Sequence, residues 1–372
     1  MADIKTNLRE LSVGFYFFDN KTGNPSPSEF LSVCKNNIVN CSWLDVRNIA
    51  SNEQSFSYDE AQIIRNGLKL GKAIKDVFNL SDKPEVTWEG LNTQSGEAVD
   101  LIINNFRFSL KEDSHILENM GLYKLMNLIM GKVTYTRGLH VFEEFAPDRL
   151  TKWFETTRDL LLICDDLPYL TKGQGYESSA DLEENGTLCL SYFGQADNVK
   201  SRISDFANCD YYRFEKSTTS KTREKVFSKW LKETVENLNE YKVAKKACAM
   251  EAGERIVQLL SPYINTSPTS MLRLFRDEEY YYAKTTSHGV EIYHVTSKEK
   301  FTSPIIIKNI TAKVPEHQLN IHTTLENQET HKTIEFRSEL RYSHGQFNGT
   351  PEAKFYIASG DITAFYKRIF PN

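Results

Sequence analysis

Asp100, Ser109 and Lys111 are the residues whose types and spacing suit chemistry. Val99, Leu101 and Ile103 alternate with Asp100 and Ile102, Asn104-Asn105 punctuates the run, and Phe106, Phe108 and Leu110 then alternate with Arg107, Ser109 and Lys111. This period of two with a turn at its centre predicts a β-hairpin over residues 97–112. Ser109 and Lys111 then share one face of the return strand, with Asp100 on the strand beside it. A carboxylate opposite a polar-x-Lys suits metal-dependent phosphodiester chemistry. The carboxylate holds Mg²⁺, the lysine neutralises charge on the phosphate or orients water, and the strands keep both rigid.

The elements around the hairpin must position these groups. Residues 57–79 predict a helix with Ile63, Ile64, Leu68, Leu70, Ile74 and Val77 as its apolar stripe. Ser57 and Glu60 have the spacing of a capping box, and Glu60 is also placed to serve as a metal ligand. Val86–Trp88 reads as a strand, with Glu85 before it and Glu97 before the hairpin as further candidate acids. A helix is expected over 115–130, which puts Glu118 one turn in and Glu112 just ahead of it. The apolar run Val13-Gly14-Phe15-Tyr16-Phe17-Phe18 reads as a short strand, and the pattern from 220 to 260 reads as one long helix.

Asp100-x8-Ser109-Leu110-Lys111 resembles the core of the PD-(D/E)XK nucleases, in particular type II restriction endonucleases of the S-x-K variety. Val99 stands where a proline usually precedes the aspartate, and Ser109 stands where a metal-binding acid is usual. The resemblance runs from the 57–79 helix through the segment ending near 130. It implies a Mg²⁺ cofactor, with Asp100 as metal ligand and Lys111 positioning water. Ser109 occupies the acid position, and a compensating carboxylate comes from Glu60, Glu85, Glu97 or Glu118. It also implies double-stranded DNA as substrate and, for palindromic sites, a homodimer. The alternative is a non-catalytic nucleic-acid-binding or defence protein built on a degenerate nuclease core.

The rest of the chain bounds these expectations. Its 372 residues, 40% hydrophobic and 26% charged, fit a globular protein of two or three domains. A net charge of −5 gives no global attraction to nucleic acid, so DNA binding needs a local basic surface. The six cysteines form no C-x-x-C, no apolar run has membrane-spanning length, and the first residues lack a signal core. A cytoplasmic protein is expected. Walker A, H-E-x-x-H and G-x-S-x-G motifs are absent.

The expected fold is α/β (α+β): a mixed central sheet flanked by helices in a restriction-endonuclease-like core, with a β-rich C-terminal domain. The expected divisions are an N-terminal cap at 1–56, the nuclease core at 57–214, a basic helical connector at 215–262 and a DNA-recognition domain at 263–372. In the connector, Lys221, Arg223 and Lys225 are candidate phosphate contacts. In the last domain, Arg337, Arg341, His344, Gln346 and Asn348 are candidate base readers, because Arg suits guanine and Asn or Gln suits adenine. A polar strand face with a turn is the other reading of that segment. A final helix is expected from Asp361.

Overall fold

The computed structural model describes residues 4–19, 25–90, 99–112, 116–118, 121–136, 138–163, 170–171, 187–188, 206–217, 220, 223–268, 279–297, 303–342 and 345–371. The helices are α1 (Ile4–Phe15), α2 (Pro27–Asn37), α3 (Tyr58–Phe78), α4 (Leu122–Met130), α5 (Val141–Phe145), α6 (Pro147–Ile163), α7 (Tyr211–Ser217), α8 (Ser228–Thr234) and α9 (Asn239–Leu260). The first strands are β1 (Ile38–Val39), β2 (Val86–Trp88), β3 (Leu101–Ile103), β4 (Phe106–Glu112) and β5 (Ile116–Glu118). A short pair follows, β6 (Leu170–Thr171) and β7 (Thr187–Leu188). The later strands are β8 (Tyr280–Thr286), β9 (Gly289–Val295), β10 (Ile305–Lys313), β11 (Asn320–Asn327), β12 (Thr333–Arg341), β13 (Glu352–Gly360) and β14 (Lys367–Phe370).

A seven-stranded mixed sheet runs in the order β1-β2-β3-β4-β8-β9-β14. The predicted hairpin sits at its centre: β3 pairs antiparallel with β4, and β4 pairs parallel with β8. Asn104 makes the hairpin turn at φ 52°, a left-handed conformation that asparagine tolerates. Its side-chain oxygen also accepts the Glu85 N–H at 3.0 Å, tying the turn to the start of β2. A second sheet, antiparallel throughout, has the order β10-β11-β12-β13-β5. The interval 263–372 thus supplies strands to both sheets: β8, β9 and β14 join the hairpin, and β10 to β13 build the other.

Period-two alternation gives the central sheet two apolar faces. Leu101, Ile103, Phe108 and Leu110 pack with Leu8, Leu11 and Phe15 of α1, Phe30 of α2, and Ile63, Leu70 and Ile74 of α3. The other face contributes Tyr280, Tyr282 and Tyr293 to a larger core shared with α4, α6, α9 and the second sheet.

Four expected elements differ. The Val13–Phe18 run closes a helix, because Leu8, Leu11 and Phe15 recur at helical spacing and bury one side of α1. Residues 116–118 are an edge strand paired with β13, and α4 starts only after Gly121, so Glu118 lies on a strand opposite Phe355. The long helix is broken between Thr234 and Asn239: the backbone becomes extended at Leu238 (ψ 144°), while the apolar spacing continues across the break and conceals it. After Asp361 there is a single 3₁₀ turn, Ile362–Ala364, and then β14, whose Lys367-Arg368-Ile369-Phe370 adds an edge to β9. The sequence Thr187-Leu188-Cys189-Leu190-Ser191-Tyr192-Phe193 also reads as a strand; Thr187 and Leu188 are extended, and the remainder lies outside the described residues.

Candidate active site

Asp100 stands one residue before the β3 ladder and donates its N–H to the Phe108 carbonyl at 2.8 Å. Its carboxylate crosses to the neighbouring strand. Oδ2 accepts the Leu110 N–H at 2.7 Å and the Lys111 ammonium at 3.2 Å, with the Ser109 hydroxyl at 3.5 Å. The hairpin therefore brings together the three residues singled out from their spacing. The carboxylate is orientated by a backbone donor that no side-chain substitution removes. The Asp100 and Lys111 side chains keep 13% and 21% of their surface exposed, enough to meet a ligand.

A fourth residue, on α1, lies within electrostatic reach of them. Glu10 is only 4% exposed, and its Oε2 accepts the indole N–H of Trp88 at 2.7 Å. Burial, reinforced by the negative charge of Asp100, pushes the Glu10 carboxyl up to about 8, although the Trp88 N–H and the charges of Lys111 and Arg9 pull the other way. Oδ1 of Asp100 and Oε1 of Glu10 take part in none of the hydrogen bonds above.

The position of Glu10 is fixed by helix packing. Gly67 and Gly71, one turn apart on α3, let α1 approach closely: a Cβ at Gly67 would lie 2.4 Å from Ser12 Cβ, and one at Gly71 would lie 2.9 Å from the Val13 carbonyl. Gly90 closes the other side, where a Cβ would come within 2.6 Å of Glu10 Oε2 and 2.4 Å of the Trp88 indole nitrogen. Trp43 stacks on Trp88 at 6.0 Å between ring centroids and steadies the indole.

The acids expected from the sequence are placed otherwise. Glu60 is 4% exposed and caps α3: its two oxygens accept the Ser51 and Ser57 N–H groups, each at 2.7 Å. Burial alone would raise its pKa, but these amide bonds outweigh it and hold the carboxyl below the usual range. The Glu85 side chain is exposed at the start of β2. Glu97, Lys221 and His344, and the side chains of Glu112, Glu118 and Lys225, lie outside the described residues.

The expected DNA contacts separate into two groups. Arg223 is 3% exposed and donates to the Glu215 carbonyl at 2.7 Å, with the Glu215 carboxylate 3.6 Å away, so it ties the turn before α8. Arg337 and Arg341 flank Glu339 on β12, at 3.5 and 2.7 Å, and Arg337 also stacks on Tyr356 at 4.6 Å. Gln346 reaches Glu236 at 3.4 Å, and Asn348 is 9% exposed.

The donor set at Asp100 is all oxygen: two carboxylates and a hydroxyl. Among the described residues no group of three or more His, Cys, Asp and Glu side chains gathers as a metal site. Two carboxylates are nevertheless a normal protein complement for Mg²⁺, which keeps several waters. The residues present therefore fit that ion better than one needing a full protein cage. Sequence reasoning missed Glu10. The signal was there in Ile4, Leu8, Leu11 and Phe15, a helical stripe, and in the Gly67-x3-Gly71 pair that seats it.

The chain matches no known protein family, no curated protein and no solved structure. Among the described residues no helix is long and apolar enough to cross a membrane.

Proposed function

We propose that the chain is a Mg²⁺-dependent endonuclease acting on double-stranded DNA, with its active centre at Glu10, Asp100, Ser109 and Lys111. The observation that carries this reading is the Asp100–Lys111 pair on the hairpin, with Leu110 N–H on the same carboxylate and the buried carboxyl of Glu10 within electrostatic reach. The resemblance to S-x-K nucleases left one acid unaccounted for, and a glutamate on a helix ahead of the hairpin supplies it. Asp100 and Glu10 would hold the ion. When bound, Mg²⁺ supplies charge stabilisation on a phosphoryl oxygen and a more acidic water.

The chain's own residues supply the remainder. The Leu110 N–H and the Ser109 hydroxyl aim the Asp100 carboxylate. Lys111 holds a positive charge beside it, where charge accumulates on a phosphodiester during hydrolysis. Trp88 and Gly90 hold Glu10 in a water-poor setting. To hold the ion Glu10 would have to give up its proton, because carboxylate ligands bind metal deprotonated. Site-specific cleavage, and a homodimer on palindromic sites, complete the reading.

The test is digestion of a complex DNA, such as a phage genome, with Mg²⁺, followed by sequencing of the ends. Discrete fragments that vanish in Asp100→Asn and Lys111→Ala support a site-specific enzyme. Smeared products would retain the chemistry and remove the specificity. Ser109 at the acid position and the net charge of −5 favour a second reading, a non-catalytic nucleic-acid-binding protein. Binding without cleavage by folded wild-type protein would select it.

A further inference from the structure

A cavity of about 600 Å³ opens between α5, α6, α9, β12 and β13 and shares no residue with the Glu10–Asp100 site. We infer that it binds a nucleoside 5′-phosphate, either free or as a single nucleotide turned out of a DNA strand. One part of its wall is basic, with Lys245 from α9, Lys354 from β13 and Arg341, and the imidazole of His317 stands beside them. The other part is aromatic, made by Trp153 with the stacked pair Phe142–Tyr342, whose ring centroids are 6.0 Å apart. Ligand cavities of roughly 300–1,000 Å³ hold small organic molecules, so this one is far larger than a bare phosphate needs. A planar ring against the aromatic wall and a phosphate on the cations use both halves.

The balance of charge points to an anion. Arg341 is neutralised by Glu339 at 2.7 Å, but neither Lys245 nor Lys354 has an ion-pair partner among the described residues. The Lys245 ammonium lies 5.9 Å from the Trp153 and Tyr241 ring centroids, so it projects over rings where a carboxylate would otherwise be expected. Burial lowers its pKa, and Glu236, the acid acting on it, offsets this only in part. Nδ1 of His317 is buried without a hydrogen-bond partner. Burial and then Lys245, Lys242 and Lys246 lower the His317 pKa, against Glu316, which marks the positive field there. Glu316 and His317 are consecutive non-glycine residues with φ of 48° and 64°, a costly backbone that presents the imidazole at the cavity. An extruded nucleotide is read in the same way, by stacking and by polar contacts in a fitted pocket.

The inference stands apart from the nuclease reading. Its test is calorimetric titration of the full chain in EDTA, which prevents cleavage. The probes are the four 5′-deoxynucleoside monophosphates, the matching nucleosides, inorganic phosphate, and a duplex with one unpaired nucleotide beside its fully paired counterpart. At least one monophosphate should bind tenfold or more tightly than both its nucleoside and phosphate, and Lys245→Met and Lys354→Met should each remove that margin at unchanged thermal midpoint. A strand-borne ligand gives the same margin for the unpaired duplex over the paired one. Lys354→Met carries the test if Lys245→Met does not fold. The inference is overturned if neither margin exists, or if both survive in the folded lysine variants. Asp100→Asn should leave the titration unchanged, so failure of the nuclease reading shows separately.

Discussion

Glu10 and Glu60 are both glutamates on N-terminal helices, and both are 4% exposed. Their surroundings drive them in opposite directions. Glu60 receives two backbone N–H groups at 2.7 Å, one to each oxygen, and its pKa falls. Glu10 receives one indole N–H and faces Asp100, and its pKa climbs to about 8. Glu10 also lies much deeper among the packed helices than Glu60, so the same small exposure means different things. A carboxylate whose lone pairs are satisfied by amides is a structural clasp. One buried in the field of another acid, with an oxygen outside those bonds, resists ionisation, and a bound cation would relieve that resistance.

The largest effect expected from this contrast is on cleavage. Glu10→Gln and Asp100→Asn should each reduce Mg²⁺-dependent cleavage by at least about 100-fold, whereas Glu60→Gln should stay within about threefold. Gel-based initial rates decide it, and equal losses at Glu10 and Glu60 would break the distinction.

Next is the pH dependence of stability. The folded pKa of Glu10 lies above its unfolded value of 4.5, so its stabilising contribution is complete below pH 4.5 and is lost as pH rises through about 8. Metal-free protein should lose on the order of a few kcal/mol between pH 5 and pH 9 through this group, measured by urea unfolding. Glu10→Gln should flatten that loss. Glu60 has the opposite sign: its contribution is present above pH 4.5 and fades in acid as pH falls through its lowered folded value.

Gly71→Val is the third test, because it pushes α1 away from α3. The new side chain starts 2.7 Å from Tyr16 Cβ. It should cost about 1–3 kcal/mol by overpacking and take Glu10 out of place, so cleavage falls more than stability alone explains. Smallest is Glu60→Gln, which weakens the capping box of α3 by about 1 kcal/mol, visible as a lower urea midpoint above pH 6.

Much of the site was legible because its information is local. Asp100, Ser109 and Lys111 lie within 12 consecutive residues, and a period of two with Asn104-Asn105 at its centre specifies both the strands and the register. Ser57 and Glu60 could likewise be read as a cap, since the box spans four residues. Glu10 could not be related to Asp100, because the two are 90 residues apart and their electrostatic influence depends on two helices meeting at Gly67 and Gly71. The partition of the C-terminal strands is of the same kind. Their existence follows from alternation, but nothing in residues 280–295 says that they join β4 and not β10. The breaks at Gly121 and Leu238 escaped because apolar spacing runs on through them.

The central claim is that Glu10 and Asp100 together hold one divalent cation. Mn²⁺ binding followed by electron paramagnetic resonance, at pH 8 and without DNA, tests it directly with wild type, Glu10→Gln, Asp100→Asn and Glu60→Gln. The account predicts one site in wild type and in Glu60→Gln, weakened at least tenfold in the other two. Undiminished binding by folded Glu10→Gln would contradict it.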